Sequence, residues 1–133
     1  MDNTRVLLVE DDKFLRRACE IGLKKKGFTV LTANDGEEGL QQARTGAPSI
    51  ILLDMLMPKL NGLETLEALK GDERTRNIPV VMLSNSSVDT TIQQAKALGA
   101  IGYLVKASMS LQELGDRVME FLQEAGCVPK ASQ

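Results

Sequence analysis

Four short apolar runs in this 133-residue chain are each followed directly by side chains that could do chemistry. Glu10, Asp11 and Asp12 follow Val6 to Val9, Asp54 follows Ser49 to Leu53, Ser84 follows Val80 to Leu83, and Lys106 follows Ile101 to Val105. Taken singly, each has a structural explanation. Acids after a strand cap the next helix and match its dipole, and an Asp ahead of a proline-containing loop makes an Asx turn. A serine bonds its own backbone, and a lysine is usually solvated. Taken together, they describe one reaction. In an open α/β sheet, ligands bind beyond the carboxyl ends of the strands. Neighbouring strands lie ~4.8 Å apart, so acids ending adjacent strands crowd into one pocket. Repulsion and burial then favour a cation. Mg²⁺ suits the set, because it takes carboxylates, a carbonyl and waters and leaves room for a phosphate oxygen. A lysine two strands away spans ~10 Å on a flexible stem and offers its charge to a phosphoryl oxygen. A serine hydroxyl one strand over can bond the same group. Around a central aspartate, these parts form a phosphoryl-transfer site with a carboxylate nucleophile.

The elements that must position these groups are also visible. Strand-like runs lie at Val6 to Val9, Phe28 to Thr32, Ser49 to Leu53, Val80 to Leu83 and Ile101 to Val105. Those at Val6, Ile50 and Val80 are continuously apolar, the pattern of strands covered on both faces. Helical segments fill the intervals. Asp12 caps a helix carrying Leu15, Cys19 and Leu23 that Gly27 ends, and Asp35 with Glu38 opens a second that Gly46 closes. Asn61 with Glu64 opens the third, striped by Leu63, Leu66 and Leu69, and a fourth runs from about Asp89 to Leu98, before Gly99. The fifth has a capping box, Ser110 with Glu113, and a hydrophobic staple, Met109 with Leu114. Leu111, Leu114, Val118, Phe121 and Leu122 should face the sheet, and Gly126 ends the helix. Five strand-helix units with right-handed crossovers predict an α/β fold: a three-layer, doubly wound (βα)5 sandwich around a five-stranded parallel sheet. The expected domain is 1–126, with 127–133 a short tail.

Composition narrows the functions further. The chain has no histidine, which excludes Ser-His-Asp and Cys-His triads, His-ligated zinc and imidazole acid-base catalysis. Aromatics make up 3 %, with one Tyr and no Trp, so the core must be aliphatic. A formal net charge of -2 argues against direct nucleic-acid binding, which favours a basic stripe. Cys19 and Cys127 are too few and too far apart for a disulfide framework or metal knuckle. No apolar stretch approaches the ~20 residues of a membrane helix, and a four-residue apolar run near the start does not read as a signal peptide. A cytoplasmic protein is expected.

The combination resembles the CheY-like receiver domains of two-component response regulators, from about Arg5 to Leu122. Val6-Leu7-Leu8-Val9-Glu10-Asp11-Asp12 is similar to the family's first strand and acidic pair. Asp54-Met55-Leu56-Met57-Pro58 with Asn61-Gly62 resembles the phosphoacceptor strand and its loop, and Gly102-Tyr103-Leu104-Val105-Lys106 the fifth strand and its lysine. The resemblance implies strand order 2-1-3-4-5. It implies that Asp54 accepts a phosphoryl group, that Glu10, Asp11 and Asp54 hold Mg²⁺ with the Leu56 backbone carbonyl, and that Ser84 and Lys106 bind phosphoryl oxygens. Tyr103 would be the aromatic switch, turning inward as Ser84 is drawn to the phosphate; ordinary packing at a sheet edge is the alternative. Asp12 stays a helix cap.

Three positions depart from the family pattern. Ser84 stands where Thr is commoner, keeping the hydroxyl but losing a methyl. Asn85 replaces a small residue beside the acceptor, so altered phosphorylation kinetics are expected. Ala107 replaces the proline that usually follows the lysine at a cis peptide. A cis bond costs ~3 kcal/mol before a non-proline residue and ~0.5–1 kcal/mol before proline, so either Lys106-Ala107 is trans or the loop carries that strain.

The implied function is a regulator rather than an enzyme. A histidine kinase or histidine phosphotransfer protein phosphorylates Asp54, and the fourth helix and fifth strand then offer a changed surface to a target protein. Homodimerisation through the fourth helix, fifth strand and fifth helix is common in the family. Other readings are a receiver-like scaffold without phosphorylation, an aspartate-nucleophile phosphatase and a flavodoxin-like FMN carrier. The phosphatase normally has a second acid two residues after its nucleophile, where this chain has Leu56. The FMN carrier needs a Ser/Thr/Gly phosphate loop where this chain is acidic.

Overall fold

Five parallel strands form the middle layer, in the order β2-β1-β3-β4-β5. The computed structural model describes residues 4–55, 61–84, 91–106 and 109–126. In chain order the elements are β1 (Arg5–Val9), α1 (Lys13–Lys25), β2 (Thr29–Ala33), α2 (Gly36–Gly46) and β3 (Ile50–Asp54). They continue with α3 (Gly62–Lys70), β4 (Val80–Ser84), α4 (Thr91–Ala97), β5 (Gly102–Val105) and α5 (Leu111–Glu124). The α/β architecture and strand order are those expected. Strand edges shift by a residue, and the residues expected to open α4 before 91 lie outside those described.

Alternation along each strand sends successive side chains to opposite faces, and the core divides accordingly. On one face Leu8, Ile50, Leu52, Val81, Leu83 and Leu104 pack with Cys19 and Leu23 of α1 and Leu114, Val118, Phe121 and Leu122 of α5. On the other, Leu7, Val9, Ile51, Leu53, Val80 and Met82 meet Leu40 of α2, Leu66 and Leu69 of α3 and Ala95 of α4. All five residues of β3 and of β4 are buried, which is why those runs carry no polar alternation. A buried leucine or isoleucine contributes ~1.5–3 kcal/mol, so this double-sided aliphatic core supplies the main driving force without aromatic bulk.

The predicted caps form. Asp12 accepts from the amides of Phe14 and Leu15, capping α1. Asn61 with Glu64 and Ser110 with Glu113 make reciprocal capping boxes on α3 and α5. At α2 the pattern is modified: Asp35 accepts from the Glu38 amide at 2.8 Å, while Glu38 reaches past the cap to the Asn34 amide. Gly27 and Gly99 take positive φ, 95° and 113°, ending α1 and α4 as expected.

Two expectations need correction. Gly46 does not turn the chain out of α2; it is the last helical residue, and Ala47 takes the left-handed conformation, φ 47°. Gly46 is small for a different reason: a Cβ there would lie 2.6 Å from Leu31 Cδ1 of β2. Leu111 does not face the sheet but is 41 % exposed. As the first residue of α5 its side chain covers the turn before it, and its Cβ lies against Gly22 of α1. The expected staple partners do meet the core, Leu114 buried and Met109 packed against the same cluster.

Candidate functional site

Register determines which strand ends meet. Val9 pairs with Leu53, which brings Glu10 level with Asp54 across the β1–β3 seam. Asp54 pairs with Leu83, and Ser84 with Val105, so β4 and β5 deliver Ser84 and Lys106 to the same end of the sheet. Glu10 is 1 % exposed, Asp54 3 % and Ser84 0 %, whereas Asp11 faces solvent. Lys106 extends from the end of β5 to the acids, with Nζ 2.8 Å from Glu10 Oε1 and 2.8 Å from Asp54 Oδ1. One ammonium therefore bridges two buried carboxylates.

The local backbone explains how two acids tolerate that burial. Glu10 donates its amide to the Ala33 carbonyl at 3.0 Å, continuing the β1–β2 ladder one residue past the strand. Its Oε2 accepts from the Asp12 amide at 3.1 Å. Oε1 has the ammonium beside it, but no aligned hydrogen bond. On β3, the Asp54 carbonyl and Met55 are pressed against the start of α3. A Cβ on Gly62 would lie 2.5 Å from the Asp54 carbonyl oxygen and 2.7 Å from Met55 Cα. Gly62 donates its amide to the Met55 carbonyl at 3.0 Å, and no larger residue fits this approach without displacing β3.

Charge follows from this packing. Burial pushes the Glu10 carboxyl up to about 7; Asp54 adds to the shift and Lys106 opposes it. Burial alone would lower the Lys106 ammonium, but its close contacts with the charged Asp54 and Glu10 carboxylates outweigh it and hold it above its ordinary value. Behind the pocket, burial raises the free Cys19 thiol to about 11, with the Glu10 charge adding to the effect. That thiol is a core group, not a nucleophile.

The donor set fits a hard divalent cation. One carboxylate oxygen each from Glu10, Asp11 and Asp54 lie within 4.8 Å of one another. Glu10 Oε1 meets only the ammonium, without an aligned hydrogen bond, and so retains acceptor capacity that a cation can use. Oxygen donors with no sulfur or imidazole among them match Mg²⁺ rather than zinc. Asp12, whose carboxylate is committed to the amides of α1, stays outside this set.

Tyr103 lies half-buried on β5, against the α3–α4 side of the core. Its partner across the strands is Met82, so Ser84, two residues further along β4, projects from the same face of the sheet. Lys96 of α4 places its Nζ 5.5 Å from the ring centroid, a cation–π contact that sequence spacing did not disclose. Arg16 was also missed. Its Nη1 donates to the Glu10 carbonyl at 2.9 Å. Leu56, Asn85 and Ala107 were singled out in the sequence and lie outside the described residues, as does the 127–133 tail.

Residues 6–119 match the response regulator receiver domain family. The chain belongs to that family. This receiver is 36 % identical over 116 residues to the protein PilG of Pseudomonas aeruginosa, covering 86 % of this chain and 84 % of that protein. It is 40 % identical over 129 residues to the transcriptional regulatory protein PrrA of Mycobacterium tuberculosis, covering 96 % of this chain but 54 % of that one. The receiver thus spans about half the length of several regulators it matches. Its fold superposes on the Vibrio cholerae chemotaxis protein CheY4 with a TM-score of 0.82 at 30 % identity, covering 89 % of this chain and 98 % of that one. A CheY-like receiver from Methanospirillum hungatei, 22 % identical with a TM-score of 0.84, shares the fold. Among the described residues, no helix is long and apolar enough to cross a membrane.

Proposed function

We propose that this receiver, spanning residues 1–126, is a signalling switch that accepts a phosphoryl group on Asp54 from the phosphohistidine of a histidine kinase or phosphotransfer protein. One observation carries the reading: two buried carboxylates, Glu10 and Asp54, share a single ammonium beside a third acid, Asp11. A core that needed only packing would bury leucines there, since removing two charges from water costs several kcal/mol per ion.

In the transfer, an Asp54 carboxylate oxygen forms a bond to phosphorus as the phosphorus–nitrogen bond breaks. The donor imidazole leaves with the electron pair of that bond. Glu10, Asp11 and Asp54 would hold Mg²⁺, with the Leu56 carbonyl completing the ligand set; when bound, the ion offsets the charge of the acids and the incoming phosphoryl oxygens. Lys106 contacts the Asp54 carboxylate at 2.8 Å and would pair with a phosphoryl oxygen. The Ser84 hydroxyl, at the end of the adjacent strand, would donate to another.

Drawing Ser84 towards the phosphoryl group would loosen the space beside Tyr103 on the same sheet face. The ring would then turn inward, changing the surface of α4, β5 and α5 for a target protein or a second receiver. The product is a conformation, so the role is regulatory and not that of an enzyme; Asn85 and Ala107 would tune its kinetics.

The test is incubation with Mg²⁺ and acetyl phosphate followed by intact-mass measurement. An acid-stable, base-labile adduct of ~80 Da, the mass of a phosphoryl group, should appear and be lost in Asp54→Asn. No adduct from acetyl phosphate or from a kinase would leave the scaffold reading in its place.

A further inference from the structure

Cations are unfavourable at a helix N-terminus, where the macrodipole is positive. The first turn of α1 nevertheless carries Lys13 and Arg16 and no acid. Arg16 is half-buried, and its side chain turns back to the end of β1. Nη1 donates to the Glu10 carbonyl at 2.9 Å and lies 3.5 Å from the Asp11 carbonyl, a weaker contact. These carbonyls belong to two of the three residues whose carboxylates converge at the pocket.

We propose that Arg16 is a positioning residue for the cation pocket. By holding the Glu10 and Asp11 peptide planes, it directs both carboxylates towards Asp54. This rests on the cation-binding reading given above. The loop has little slack to find that arrangement otherwise, because each end is already tied. The Glu10 amide bonds Ala33 at 3.0 Å, and the Arg16 amide bonds the Asp12 carbonyl at 2.8 Å. The Asp12 amide bonds the Glu10 carboxylate at 3.1 Å. Between these ties lie the Glu10–Asp11 and Asp11–Asp12 peptides, and the guanidinium contacts the carbonyl of each. Both contacts come from Nη1, whose donors are fixed in the guanidinium plane, whereas a lysine ammonium carries rotatable donors on a flexible stem.

Charge and position make opposite predictions. As a nearby positive charge, Arg16 repels a divalent ion, so neutralising it would tighten Mg²⁺ binding. As a positioning group it strengthens binding, and losing it would weaken binding by about tenfold or more, the usual effect of removing a group that orients metal ligands.

Calorimetric titration of Mg²⁺ into wild type, Arg16→Met and Arg16→Lys separates the two, with metal-free melting and the Asp12 amide resonance recorded for each. The expected result is Arg16→Met weaker by about tenfold or more, with Arg16→Lys in between. The Asp12 amide should move in the metal-free variants while Met82, in mid-β4, stays fixed. Wild-type or tighter Mg²⁺ affinity in Arg16→Met overturns the inference. Should that variant fail to fold, wild-type affinity in Arg16→Lys overturns it and weaker affinity upholds it. A wild-type protein that binds no Mg²⁺ overturns the cation-binding reading itself, and the inference with it.

Discussion

Replacing Gly62 with alanine adds one methyl group at the point where α3 meets β3. Its Cβ would sit 2.5 Å from the Asp54 carbonyl oxygen, 2.7 Å from Met55 Cα and 3.1 Å from the Met55 carbonyl oxygen. Relaxed carbon contacts lie at ~3.5–4.0 Å, so helix and strand must separate by about 1 Å. All three neighbours are backbone, and none can rotate away. Overpacking of this kind costs ~1–3 kcal/mol. The helix-propensity gain of alanine over glycine, ~1 kcal/mol in a helix interior, is smaller at this first helical position. The net expectation is a loss of about 1–2 kcal/mol, or roughly 4–8 °C in melting temperature for a domain this size. Because the displaced carbonyl is that of Asp54, the rate of acceptor modification by acetyl phosphate should fall too; an ångström of misplacement can cost ~100-fold. Gly71→Ala is the control, since its nearest contact, the Glu67 carbonyl oxygen, is an ordinary 3.4 Å away. Differential scanning calorimetry and intact-mass kinetics read both effects. A Gly62→Ala protein that melts at or above wild type refutes the close-approach argument.

In metal-free protein, burial raises the Glu10 carboxyl to about 7, so the folded state holds its proton while the unfolded chain gives it up. The Glu10 contribution to stability should therefore be fully present below about pH 4.5 and fall by something on the order of 3 kcal/mol as pH rises through about 7. Urea titrations across that range should show the decline, and saturating Mg²⁺ should flatten it. Lys96→Met removes the cation above the Tyr103 ring and should lower stability by ~0.5–1 kcal/mol. Tyr103 is the only tyrosine and there is no tryptophan, so intrinsic fluorescence reports on that ring alone. An unchanged emission and iodide quenching in Lys96→Met would show that the contact does not hold the ring.

Much of this architecture was legible because single residues had single jobs. Continuous apolar runs marked the strands buried on both faces, and Asn61 with Glu64 and Ser110 with Glu113 marked helix starts to the residue. The pocket acids stood out because buried-strand runs otherwise carry no charge. The missed features depend on long-range approach. Gly46 reads as a helix stop until Leu31 of β2 is placed beside it, and only then does Ala47 become the residue that turns the chain. Leu111 fits the apolar period of α5, yet its position in the first turn leaves it over Gly22 of α1. Arg16 and Lys96 are ordinary helix-surface cations in sequence; only the fold reveals the carbonyls and the ring they meet. Strand order came from resemblance, because no local pattern says which neighbour β1 takes.

The pairing of β1 with two distant partners has a consequence for assembly. Arg5 meets Thr29 on one side and Val6 meets Ile50 on the other, closing chain segments of 24 and 44 residues. Loop-closure entropy separates these by only about 0.5 kcal/mol, too little to dictate which seam forms first. The difference lies in what each seam brings together. Beyond the β1–β2 ladder Glu10 meets the neutral Asn34, whereas closing β1 on β3 presses Glu10 against Asp54. The two acids must lose water as they meet, and the ammonium that offsets them arrives on β5, the last strand made. A nascent chain ending before Lys106 therefore lacks the ammonium that offsets the acids at its central seam, which disfavours docking of the parallel β1-α1-β2 unit onto β3 until the fifth strand has been synthesised.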